Sequence, residues 1–213
     1  MKKVLILVAA IVLATTTGAF AATQATGNTV SPTLAVSATI QKAVSLTLST
    51  GTTGGVSHCA VAAGGGPPDY TMNFGTVDAL GVNAGNCNKM NPTTPGTSNA
   101  IYWSDYTILP VYTSQTAFAG TTVTAYVSAD FGAPHNILIV RSATATSSTT
   151  PVVPTDMAAM STASGSPDTL GAAGVVSGTA LTRFIGVAVT PANGATVLTG
   201  PQTATVTFTL TVN

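Results

Sequence analysis

An all-β chain folded as one antiparallel sandwich is the fold class this sequence predicts, and three observations predict it. Apolar residues alternate with a period of two towards both ends of the chain. Leu34, Val36, Ala38, Ile40, Val44, Leu46 and Leu48 share one phase, and Ala204, Val206, Phe208, Leu210 and Val212 alternate with threonines. That period belongs to a strand, whose successive side chains point to opposite faces. No stretch keeps a 3.6-residue period over three turns. The 21 glycines and 12 prolines punctuate short patterned runs, as in sandwiches and barrels.

Taken in order, the chain opens on an address. Met1-Lys2-Lys3 is basic, Val4 to Ala14 is apolar, and Ala19-Phe20-Ala21 has the small-x-small spacing of a cleavage site. This predicts a secretory signal peptide over 1–21. A membrane span would need about 20 apolar residues, and the run is too short. About 192 residues then remain, enough for one sandwich. Residues 22–33 read as a flexible arm. The stretch 34–48 is either one long strand or two in one phase with a bend near Gln41-Lys42. Further strands are expected near 70–77, 100–103, 106–113, 121–131, 136–141 and 182–190, before the closing strand at 203–212. Gly64-Gly65-Gly66-Pro67-Pro68 is a loop; no Gly-Lys-Ser/Thr follows it, so it is no phosphate cradle. The domain is placed at 34–213, with a Ser/Thr/Pro-rich surface insertion at 142–169.

Composition excludes several functions. Charged residues are 6% of the chain, against roughly 25% in ordinary soluble domains. After the leader only Lys42, Lys89, Arg141 and Arg183 face six aspartates, and there is no glutamate. Nucleic acid needs clustered cations and is not an expected partner. The mature chain has no candidate membrane span. With so few titratable groups, no catalytic residues and no cofactor are expected. The five aspartates Asp69, Asp78, Asp105, Asp130 and Asp168 lie near turn residues, where short carboxylates bond their own backbone. His58 and His135 are the only histidines.

Cys59 and Cys87 are the only cysteines. In an exported protein a disulfide is the default, and closing this loop is worth roughly 3.5 kcal/mol in the chain-entropy model. The rival is a Cys2His2 metal site with His58 and His135, but zinc-type spacings are absent. Tyr102, Trp103 and Tyr106 form the one aromatic cluster. They are either a ligand platform for stacking on sugars or a strand whose members pack in the core.

The order alternating strand, Cys59, Met72-Asn73-Phe74-Gly75-Thr76-Val77, Cys87, Thr-rich closing strand resembles secreted pilin-like subunits of the spore-coat-U and fimbrial, chaperone–usher type. The chain departs from that pattern in ending Val212-Asn213, without an aromatic penultimate residue. The resemblance implies an Ig-like sandwich and a structural subunit of an extracellular pilus, fibre or coat. It implies copies of the same chain or related fibre subunits as partners, with a periplasmic chaperone and an outer-membrane usher. Its assembly mode is donor-strand exchange, with Leu34, Val36, Ala38 and Ile40 as the donated side chains. The alternative is a monomeric secreted adhesin or carbohydrate-binding module using Trp103. Either way the expected location is extracellular or at the cell surface.

Overall fold

The structure is a computed structural model that describes residues 35, 37–38, 43–92, 99–113, 120–132, 137–142, 157–190 and 200–212. The expected signal peptide at 1–21, the expected arm at 22–33, Leu34, Val36, Ile40 and His135 lie outside the described residues. The chain divides into two units, Met1–Ile40 and Gln41–Asn213, and the architecture is that of the second. In the first, the described residues are Ala35, Ser37 and Ala38, all exposed.

The described residues form strands and no helix. These are β1 (Val44–Thr50), β2 (Val61–Ala63), β3 (Tyr70–Met72), β4 (Asn88–Met90), β5 (Ala100–Tyr112) and β6 (Thr122–Ala129). They continue with β7 (Ile137–Ser142), β8 (Met157–Ala159), β9 (Asp168–Gly171), β10 (Leu181–Val189) and β11 (Thr205–Thr211). The larger sheet runs β1-β5-β10-β7-β8, the smaller β11-β6-β9, and β2 pairs β3 alone. Every described pairing is antiparallel. The result is an all-β sandwich with one disulfide, Cys59–Cys87.

The central strand β5 has 13 residues. β10 runs along one edge of it from Ala100 to Ile108. Its other edge is shared, with β4 against Ile101–Trp103 and β1 against Tyr106–Tyr112. The alternation expected of a strand sorts its side chains. Ala100, Tyr102, Tyr106 and Ile108 point between the sheets and build two core clusters. At one end of the sandwich Ala100 and Tyr102 pack with Val127, Phe131, Ile137, Ile139 and Val187. Towards the other end Tyr106 and Ile108 pack with Val123, Ala125, Leu170 and Val175. β6 therefore runs opposite to β5 across the core. β11, antiparallel to β6, runs with β5 and against β1.

Three expectations are corrected. The break anticipated between 103 and 106 does not exist, because the polar pair Ser104-Asp105 is satisfied inside the sheet (below). The Met72–Val77 strand ends at Met72. Asn73 Oδ1 accepts the Gly75 N–H at 2.8 Å, and Gly75 has φ +75°, a left-handed turn that suits glycine. The segment 142–169 is not simply an excursion. β8 pairs with β7, Val127 N–H donates to the Ser161 carbonyl at 2.8 Å, and β9 then joins the smaller sheet. This stretch carries the chain from one sheet to the other.

Candidate functional site

The two flanks of the sandwich differ. On the flank where β10 and β7 face β9, polar bridges tie the sheets together. Arg141 is paired with Asp168, whose carboxyl is lowered first by that guanidinium hydrogen bond and then by the Ser161 N–H. Arg183 Nε donates to the Leu170 carbonyl and a second guanidinium nitrogen to the Thr182 carbonyl. Leu170 and Val175 beneath them are buried.

On the other flank, β1 terminates the larger sheet and β11 the smaller. The two strands approach each other but do not hydrogen-bond, and among the described residues no strand pairs the outer edge of either. Leu46 and Leu48 of β1, Phe208 and Leu210 of β11, and Val61 and Met72 of the small hairpin all pack against the core cluster of Tyr106 and Ile108. All six are only half-buried. A sandwich whose apolar side chains are covered on one flank and half-covered on the other has a seam between β1 and β11. The alternation in 203–212 was readable in the sequence, but nothing local in it tells an edge strand with a half-covered inner face from a central one.

At the Thr50 end of the seam, a polar knot holds the loop that follows β1. Asp105 projects from mid-β5 away from the main core and is fully buried. His58 Nδ1 lies 2.5 Å from its Oδ1, and Thr53 N–H donates to Oδ2 at 2.9 Å. Gly51 is required here, since a Cβ on it would fall on the Asp105 carboxylate. Ser104 Oγ accepts the Cys59 N–H at 2.9 Å, fastening the loop next to the disulfide. Asp105 is thus a buried, hydrogen-bonded residue in a strand rather than a turn aspartate, and the sequence held no local signal for it.

Asp78, by contrast, is the turn aspartate expected. Its carboxylate accepts N–H groups from Leu80, Val82 and Asn83 at 2.8, 3.1 and 2.6 Å and the Tyr102 hydroxyl at 3.2 Å. Partial desolvation pushes its pKa up, but these four donors outweigh it and hold the group at about 2. Lys89 Nζ closes the same loop from the other side, donating to the Gly81 and Asn83 carbonyls at 2.5 and 3.1 Å.

The predicted aromatic platform is corrected. Tyr102, Trp103 and Tyr106 are 1%, 3% and 2% exposed. They alternate along β5, so Tyr102 and Tyr106 enter the main core while Trp103 packs edge-on to Phe184 on the other face, with ring centroids 5.7 Å apart. A sugar has no access to any of the three faces. Of the expected donor side chains, Leu34, Val36 and Ile40 lie outside the described residues and Ala38 is exposed. Among the described residues there is no group of three His, Cys, Asp or Glu that could hold a metal ion.

Compared with known proteins, the chain matches no family model, no curated protein and no solved structure.

Proposed function

We propose that the chain is a structural subunit of an extracellular pilus, fibre or coat, and that copies join by donating a β-strand into the β1–β11 seam. The seam is the observation that carries this reading. It offers what strand addition uses: ladder edges that no described strand pairs, and half-covered apolar side chains for an alternating partner. Leu34, Val36, Ala38 and Ile40 supply that alternation, and 34–40 has the seven-residue length of β1 and of β11.

Local geometry favours donation to another copy over self-insertion. Ala43 continues the β1–β5 ladder: its carbonyl accepts the Thr113 N–H at 2.9 Å, and its N–H donates to Thr113 Oγ1 at 2.8 Å. Ala43 therefore extends β1 by one residue. Folding 34–40 back onto its own seam would require a hairpin at Gln41-Lys42. Two-residue hairpins need positive φ and are built from Asn-Gly or Gly-X, not from Gln-Lys. The low charge of the sequence, 6% of its residues, suits repeated burial against identical neighbours, since interface cores are depleted in charge. The carbohydrate-module alternative loses its platform with the burial of Trp103.

The test compares the mature chain with a variant lacking 22–41, by light scattering after size exclusion and by negative-stain microscopy. The expected result is polymers from the mature chain and a monomer from the deletion, stabilised by a synthetic peptide spanning 33–41. A stable, folded monomer from both chains, indifferent to the peptide, would overturn the reading.

A further inference from the structure

The two ends of β5 carry the most exposed large apolar side chains of the described residues. At the end where β4 pairs with Tyr102 stand Leu80 and Val82, 58% and 78% exposed. At the other end stand Val44, Val111 and Val176, 56%, 45% and 44% exposed. Val44 is registered on Tyr112, and Ser177, next to Val176, exchanges hydrogen bonds with the Tyr112 backbone at 2.8 and 2.9 Å. Leu80 and Val82 are not on a slack loop. Asp78 holds three of that loop's N–H groups and Lys89 two of its carbonyls. Two charges of a chain poor in charge are used to make the tip of an apolar loop rigid. A pre-ordered tip loses little entropy on binding.

We infer that the Leu80–Val82 loop docks on Val44, at the start of β1, of a second copy of this chain, making a head-to-tail contact beside the donated strand. The inference rests on strand donation. An open linear polymer uses a heterologous contact, in which one end of each copy meets the opposite end of the next. The donor's domain must then sit at the Tyr102 end of the acceptor, and its strand enters the seam from the Thr50 mouth. An incoming strand with Ile40 at that mouth and Leu34 inside would run antiparallel to β11.

The chain lengths agree. From Ile40 to Val44 is four residues, about 13 Å at a strand's rise. From Tyr106, which pairs with Thr50 at the mouth, to Tyr102, beside the Asp78 loop, is again four residues of β5, about 13 Å. Gln41-Lys42-Ala43 therefore reaches from the seam's mouth to the loop and delivers Val44 to Leu80 and Val82.

The experiment mixes a V82C chain with a V44C chain under mild oxidation and, separately, assembles the L80S/V82S double variant. The expected results are a heterodimeric cross-link between the two cysteine chains and, for the double variant, a critical concentration for assembly raised about tenfold or more. The double variant changes two exposed side chains, and its monomer should melt as the parent does. No cross-link and unchanged assembly, with the 22–41 deletion still monomeric, would overturn the docking and leave strand donation standing. Polymers from the deletion itself would overturn both.

Discussion

The buried pair His58–Asp105 permits a quantitative test of what closes the loop beside the seam. Asp105 is fully buried, and its charge has His58 at 2.5 Å and the Thr53 N–H at 2.9 Å. Removing the imidazole with His58→Ala leaves a carboxylate with one described hydrogen bond in a dry site. Breaking a buried pair in this way costs about 3–5 kcal/mol. The His58 side chain is 29% exposed, so water reaches the vacated position and the expected loss is about 2–3 kcal/mol. Asp105→Asn keeps the shape and the acceptor for Thr53 but removes the charge, and should cost about 1–2 kcal/mol. The double variant leaves no unpaired charge, so it should be more stable than the sum of the two losses by about 1.5 kcal/mol or more. The assay is urea unfolding of the oxidised chain followed by circular dichroism, with equal m-values as the check on two-state behaviour. Additivity within about 0.5 kcal/mol, or a His58→Ala loss below that figure, would refute the argument that the His58 hydrogen bond satisfies the buried Asp105 carboxyl. Gly51→Ala belongs to the same test. Its Cβ would strike the carboxylate, so it should destabilise the parent and be far milder in an Asp105→Ala background.

Three further outcomes are expected. Asp78 is held at about 2 against 3.8 in the unfolded chain, so its contribution is complete above about pH 5 and is lost as pH falls through about 2. Because the carboxyl is largely open to solvent, that contribution is about 1 kcal/mol, seen as a stability gap between parent and Asp78→Asn that closes between pH 5 and 2 in thermal melts. Replacing both cysteines by serine should remove roughly 3.5 kcal/mol, measured by chemical unfolding. The single tryptophan, 3% exposed, should emit blue-shifted fluorescence that acrylamide barely quenches, and Trp103→Ala should cost about 3–5 kcal/mol of stability.

The parts of the fold that were legible are those set by local alternation. β1, β6, β10 and β11 each fall within or across a run whose apolar residues repeat every two positions, and such a run can bury one face only as a strand. The aspartate of 78–83 was legible for the same reason, since its partners lie within five residues. The Cys59–Cys87 bridge followed from there being only two cysteines and from the expectation of export. The three-residue strands β2, β4 and β8, and the four-residue β9, were not legible. At that length there is too little period to read, and they exist because a neighbouring strand offers them an edge.

What remained for the tertiary structure was decided by contacts distant in sequence. Ser104-Asp105 reads as a break and instead runs through the middle of β5, because Cys59, His58 and Thr53, arriving from 45 to 52 residues away, satisfy its polar atoms. Trp103 reads equally as a platform or as core. Its burial follows from β10 bringing Phe184 alongside. The seam is the clearest case. Alternation along 44–50 and 205–211 specifies two half-apolar strands and says nothing about their partners. β1 and β11 become facing edges because β5 and β6 pair with each of them on one side only. Periodicity is a property of a single segment, whereas an unpaired edge is a property of the whole sheet order, which pairing and core burial across the entire chain determine together.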